Sequence, residues 1–280
     1  MIDKYLLIDR LGNGAFSTIY KGENSRNNES VVIKTESTDS EIGLLKHEAS
    51  MYLRLRNVTG MLLLKWYGVV DNLRCLVLPY GGDSLDKIQV INPIVRLDIF
   101  RQIIQALQSV HLMGVIHRDI KPANIVIDSE GVCRLVDFGL SSMYIGTYGI
   151  HIDEKEGQNI IGSPSYVSIN IHNGKNPVRR DDLESACYVY MYLKDKSLPW
   201  SSCSSTYIPH LKERVSDCGD SILIAIWEYI RKLEFAEDPE YDTLIEILTE
   251  EIKSLENENK KQGFVLVMVS LFIHLQAKEL

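Results

Sequence analysis

The sequence predicts an α+β chain in two parts, a small strand-rich part of about 80 residues followed by a larger, mostly helical one. Three observations carry this prediction. Short alternating apolar segments such as Tyr5–Leu11 and Val31–Lys34 crowd the first part. From residue 85 onward, apolar stripes at helical spacing take over. Between the two, residues 79–83 carry Pro79, Gly81 and Gly82 and mark a hinge. The expected organisation is a single 280-residue domain with a small lobe over 1–80, a large lobe over 84–264 and an extra segment at 265–280.

Each element follows from its residues. Tyr5–Leu11 and Thr18–Tyr20 read as strands flanking the glycine turn LGNGAFSTIYKG, Leu11–Gly22, where Gly12 and Gly14 let a backbone approach a phosphate or simply close a hairpin. The polar stretch Glu23–Ser30 is a hairpin loop before the strand VVIK, Val31–Lys34. Glu41–Leu55 reads as a helix whose apolar stripe of Leu44, Leu45, Met51, Tyr52 and Leu55 contains a carboxylate, Glu48. An unpaired buried charge is costly, so Glu48 calls for a cation, and Lys34 is the candidate, with Glu41 the fallback acid. Met61–Tyr67 and Arg74–Leu78 read as two more strands. Pro93–Met113 is a long amphipathic helix, and Asp181–Leu193 is an apolar helix with Asp181 as its N-cap and Glu184 three residues on.

Composition narrows the function classes. A net charge of −8 argues against a general binder of nucleic acid or anionic membranes. Five cysteines without a CxxC pair suit neither a disulfide framework nor a zinc site, and the reducing cytosol or nucleus fits them best. The N-terminus lacks the apolar core of a signal peptide, and the longest apolar run, Phe264–Leu275, is too short to span a bilayer.

The chemistry concentrates in HRDIKPANIVI, His117–Ile127, and LVDFG, Leu135–Gly139. An acid five residues ahead of an amide, then an apolar run, a turn and a second acid is an arrangement that phosphoryl transfer can use. Asp119 can accept a proton, while Asn124 and Asp137 can hold Mg²⁺.

These loops resemble the catalytic and metal loops of eukaryotic protein kinases. The resemblance implies a bilobal kinase fold and ATP with Mg²⁺ as cofactors. It also implies roles: Asp119 orients and deprotonates the substrate hydroxyl, Lys121 stabilises the transferred phosphoryl group, and Lys34, paired with Glu48, touches the α- and β-phosphates. Leu11, Gly12, Asn13, Gly14 and Ile19 would cover the nucleotide, Leu78 would be the gatekeeper and the Tyr80 backbone would meet the adenine edge. A lysine two residues after the acid is similar to the serine/threonine kinases.

From Gly162 the similarity narrows to the casein kinase 1 family. GSPSYVSIN, Gly162–Asn170, places SIN where most kinases have APE, and RRDDLESACYVYMYL, Arg179–Leu193, is followed by KSLPW. LEFAEDPEYDTL, Leu233–Leu244, and QGF, Gln262–Phe264, resemble the same family, so the likeness spans about residues 5–264. It implies transfer of the ATP γ-phosphoryl group to serine or threonine of protein substrates, without prior activation-loop phosphorylation; the oligomeric state stays open, with a monomer favoured. Asp182 matches the acid that anchors the catalytic loop, and the hydroxyls of Ser141, Ser142 and Thr147 are phosphorylation candidates or solvated loop residues. The family prefers acidic or phosphorylated flanks, but Ser165 replaces its usual arginine and the stretch after Trp200 offers only Lys212 and Arg214. Lys175, Arg179 and Arg180 serve either to bind phosphate or as structural ion pairs. Two rivals remain: a vaccinia-related-kinase-like enzyme, suggested by HNGKNPVRR at His172–Arg180, and a pseudokinase scaffold, suggested by Ser17 where a third glycine is usual. The apolar tail reads as a core-docking helix, a partner-binding face or a membrane-interface segment.

Overall fold

The computed structural model describes residues 2–13, 17–40 and 43–261. Gly14, Glu41 and the apolar tail lie outside them. Two compact units emerge, one running to Gly82 and including Val136–Ser141, the other formed by the remaining described residues.

The first unit is built on a five-stranded antiparallel sheet, β1 (Tyr5–Asn13), β2 (Thr18–Asn24), β3 (Ser30–Ser37), β4 (Trp66–Val70) and β5 (Leu73–Pro79), in the order β1-β2-β3-β5-β4. Alternation along β3 sends Val31 and Ile33 into an apolar cluster with Ile2, Tyr5, Cys75 and Val77, which leaves Lys34 on the opposite face. One helix, α1 (Leu44–Arg54), buries Leu45, Glu48, Ala49 and Tyr52. It begins at Leu44, with the apolar stripe, because Gly43 adopts a left-handed conformation that cannot continue a helix backwards. The expected strand at Met61–Tyr67 is corrected to Trp66–Val70. The next turn sets this register: Asp71 and Asn72 both have positive φ, the geometry of a two-residue hairpin that pairs Val70 with Leu73.

The second unit centres on α2 (Pro93–Leu112). Asn92 caps it by accepting from Ile94 N at 2.8 Å, Pro93 opens it, and Leu97, Phe100, Ile103, Ile104, Leu107 and Val110 form its buried face. Two small sheets follow, β6 (Asp83–Ser84), β8 (Ile125–Ile127) and β9 (Cys133–Leu135) in one, β7 (Val115–Ile116) with β10 (Ser142–Met143) in the other. The helices α3 (Ile169–His172), α4 (Arg179–Asp195), α5 (Ile208–Lys212), α6 (Ser221–Lys232) and α7 (Tyr241–Lys261) complete the unit. α4 is buried from Arg179 to Tyr190 on every side. It starts two residues before the expected cap: Asp181 is the third helical residue, and its carboxylate reaches back to accept from Val178 N at 2.8 Å. Among the described residues no helix is long and apolar enough to cross a membrane.

Gly22 shows where the sheet allows no side chain. A Cβ there would lie 2.5 Å from Leu6 O and 2.6 Å from Ile33 Cδ1, whereas a Cβ on Gly12 would meet nothing within 4 Å. Urea unfolding should therefore show Gly22→Ala losing about 1–3 kcal/mol and Gly12→Ala showing no such packing loss; equal effects would contradict this packing.

Candidate active site

In the first unit, one cation sits between two carboxylates. Lys34 Nζ donates to Glu48 Oε2 at 2.8 Å and to Asp137 Oδ1 at 2.7 Å. The lysine comes from the non-core face of β3 and the glutamate from the buried stripe of α1, as the sequence pattern requires. Asp137 is brought in by the segment 136–141, which α1 fastens at two further points. Tyr52 Oη accepts from Asp137 N at 3.3 Å while its ring meets Phe138 edge-on, and His47 Nε2 lies 2.8 Å from Ser141 O. Burial works against the Lys34 ammonium, but Glu48 and Asp137 outweigh it and hold the group above its ordinary value. Burial drives the Glu48 carboxyl up, to about 7, with Lys34 opposing the rise and the Asp137 charge adding to it. Asp137 itself adopts φ +66, an uncommon conformation for a residue with a side chain.

In the second unit, the segment 117–124 folds around Asp119, which is 7% exposed. Its Oδ1 accepts from Ser163 N at 3.0 Å and Ser163 Oγ at 2.8 Å, and its Oδ2 accepts from Lys121 Nζ at 2.7 Å and Asn124 Nδ2 at 2.9 Å. Lys121 also reaches Ser163 Oγ at 3.0 Å, closing a ring of acid, ammonium and hydroxyl. The sequence pattern assigns Ser163 no role. Its only signal is a hydroxyl directly after Gly162, where φ is +99 and any Cβ would overlap the Arg118 carbonyl. The loop is anchored from α4: Asp182 accepts from His117 N at 2.7 Å, Arg118 N at 2.8 Å and His111 Nε2 at 3.0 Å. Burial would raise this carboxyl, yet the two histidines and the amide bonds hold it below its ordinary value.

The segment after Ser163 is fastened at nearly every residue. Lys212 donates to Pro164 O at 3.0 Å and to Val167 O, Trp200 Nε1 donates to Ser165 O at 2.8 Å, Ser168 Oγ donates to Asp181, and Ile169 N donates to Glu184 Oε1 at 2.8 Å.

Several sequence expectations change here. The Tyr80 amide donates to Ser30 O at 3.0 Å, so its N–H is engaged within the sheet. Ser141 is buried, its hydroxyl donating to Phe138 O at 2.6 Å, and is no accessible phosphorylation site. Arg179 is buried against Tyr144 and bonds Asp238, Ala236 O and Glu237 O; Arg180 is buried and bonds Leu233 O. Of the two readings left open for these arginines, the structural one matches this packing. Leu78 is buried on β5, Leu11 and Ile19 are half-buried, and Asn13 accepts from Arg10.

A model of the protein kinase domain family matches residues 5–255. The chain belongs to the protein kinase family. The sheet of five antiparallel strands and the helical second unit are the kinase fold. Membership implies ATP use with a divalent metal. Asp137 offers a carboxylate, and Asn124 turns its amide nitrogen to Asp119 so that the opposite end of the side chain is its oxygen. Each side chain offers a hard oxygen donor of the kind Mg²⁺ takes. Among the described residues of the kinase, no cluster of three or more His, Cys, Asp or Glu could hold an ion by itself.

His172, at the end of α3, supplies a pH test. Its Nε2 lies 3.1 Å from Pro164 O and 3.3 Å from Lys212 Nζ; burial and then the Lys212 charge push it down from 6.5 to about 4. The unfolded chain therefore binds the proton first, and stability is lost as pH falls from about 6.5 through about 4. The unfolding free energy of the wild type relative to His172→Gln should drop over that window by on the order of 1 kcal/mol, allowing for screening of a half-buried group; a pH-independent difference would contradict the burial argument.

Proposed function

We propose that this kinase is a serine/threonine protein kinase of casein kinase 1 type, which transfers the γ-phosphoryl group of ATP to protein hydroxyls with Mg²⁺. The observation that carries the reading is the ring of Asp119, Lys121 and Ser163. An acceptor hydroxyl enters by displacing one of the four donors on Asp119 and gives the carboxylate its proton as its oxygen attacks the γ-phosphorus and the bond to the bridging oxygen breaks, releasing ADP. Lys121 lies within reach of the same carboxylate oxygen and places a positive charge beside the group in transfer. Lys34, already charged and oriented by Glu48, supplies the cation for the α- and β-phosphates. When bound, Mg²⁺ would neutralise charge on the ATP phosphates. The casein kinase 1 assignment is supported by SIN and RRDDLES, and the choice of serine or threonine by Lys121 and the hydroxyl of Ser163.

For the acceptor's surroundings, the five cations that could read an acidic flank are engaged within the chain. Lys175 pairs with Glu154 at 2.9 Å, Arg214 with Asp217 at 3.0 Å, Arg179 and Arg180 are buried, and Lys212 is buried beneath Pro164. We therefore read a priming phosphate as dispensable. Five free cysteines, three of them buried, support a reducing compartment, cytosol or nucleus.

Asp119→Asn should lower peptide phosphorylation by about a thousandfold or more while an ATP·Mg²⁺ thermal shift persists. Retained turnover would remove Asp119 from its role, and a wild type that binds ATP without transferring phosphate would favour the pseudokinase scaffold. Matched peptides with and without an upstream phosphoserine should differ in kcat/KM by less than about tenfold, since one good charge pair is worth roughly 1–3 kcal/mol; a larger preference for the phosphorylated peptide would overturn the reading of priming.

A further inference from the structure

The sequence offers Lys212 as one of two surface cations after Trp200, but the residue is fully buried. It is the last residue of α5, and its stem runs under the segment 164–167 with its ammonium 4.6 Å from the Tyr188 ring centre and 5.5 Å from that of Trp200. Two of its donors serve Pro164 O and Val167 O, and the third direction faces His172 Nε2 at 3.3 Å. A cation sealed from solvent in this way cannot bind a substrate's acidic flank. Its contacts are instead with the backbone immediately after Ser163, the residue whose hydroxyl and amide both occupy Asp119 Oδ1.

We propose that Lys212 is a positioning residue for the transfer reaction: by fixing the 164–167 backbone it holds Ser163 on Asp119, and thereby fixes where an acceptor hydroxyl meets the acid. This rests on the reading of Asp119 as the group that receives that hydroxyl. Three facts support a device specific to this place. The two carbonyls that Lys212 serves bracket Ser165 and Tyr166, and Trp200 holds the first of the two carbonyls between them, Ser165 O, at 2.8 Å, so the turn is gripped from one platform. That platform is rigid, because Tyr188 and Trp200 meet edge-on at 5.1 Å and Tyr188 Oη donates to Glu184. Finally, the grip survives a change of charge. Burial lowers the ammonium to about 7, with Glu184 opposing, and a neutral amine still has two N–H groups for two carbonyls.

Lys212→Met keeps the stem and removes the donors. With the full chain and an unphosphorylated serine peptide, kcat/KM for peptide should fall by about tenfold or more, as a small misplacement of reacting groups does, while KM for ATP stays within about twofold. Ser163→Ala should lower the same parameter, and adding Lys212→Met to it should cost less than about threefold further, because both act through the placement of residue 163 on Asp119. Multiplying penalties, or a folded Lys212→Met enzyme with wild-type peptide kinetics, would overturn the proposal. Amide hydrogen exchange reads the device without turnover: residues 163–167 should exchange faster in Lys212→Met than in wild type, and unchanged exchange contradicts it. Should Lys212→Met fail to fold, Trp200→Phe, which removes the bond to Ser165 O and keeps an aromatic ring beside Tyr188 and Lys212, carries both measurements with the same expected pattern, and wild-type values there contradict the platform. Absence of peptide phosphorylation by the wild type itself would sink the proposed function, whereas an active wild type with an indifferent Lys212→Met variant sinks this inference alone.

Discussion

One buried carboxylate, Asp182, sets the conformation of the loop that carries the acid. It sits in the first turns of a helix with almost no exposed face and accepts from two successive backbone amides, His117 N and Arg118 N, and from His111. Two successive amides can converge on one carboxylate only if the chain bends sharply, and Arg118 indeed takes φ +69. That bend delivers Asp119 to Ser163, Lys121 and Asn124. Removing such an acceptor would leave several buried donors unsatisfied, at a cost of roughly 1–3 kcal/mol each.

The first unit uses the same principle with opposite sign. Lys34 is a buried cation that two carboxylates compensate, one from a helix stripe and one from a segment 103 positions away in sequence. Buried ion pairs contribute little net stability compared with apolar packing, but they penalise every arrangement that leaves a member alone. The helix α1, the strand β3 and the segment 136–141 are therefore locked into one mutual geometry in which the lysine is charged and aimed. Tyr52, packed on Phe138 and bonded to Asp137 N, reinforces this lock from the same helix.

How much of this is readable from sequence depends on whether the signal is periodic. The Lys34–Glu48 pair is legible because a carboxylate inside an apolar helical stripe demands a cation, and strand alternation leaves few choices. Asn92–Pro93 and the long stripe of α2 are legible for the same reason. Asp181 is misplaced by three positions because a residue that reaches back to a cap looks, in sequence, like the cap itself. Ser163 and Lys212 carry no periodic signal. Their significance comes from contacts 44 and 48 positions away, so a lysine between polar neighbours reads as solvated when it is sealed under the loop. Arg179 and Arg180 show the opposite failure: a paired cationic motif suggests a ligand, while aromatic rings and carbonyls from residues 233–238 occupy it.

On the proposed reading, these features belong to a kinase whose acceptor hydroxyl is placed by internal bonds rather than by a charged surface. The most direct test is phosphoamino-acid analysis of wild-type enzyme with labelled ATP·Mg²⁺ on three otherwise identical degenerate peptide libraries, offering serine, threonine or tyrosine as the sole acceptor. Label on serine and threonine with none on tyrosine is the predicted result. Label confined to tyrosine, or no transfer to any hydroxyl while the nucleotide still binds, would contradict it.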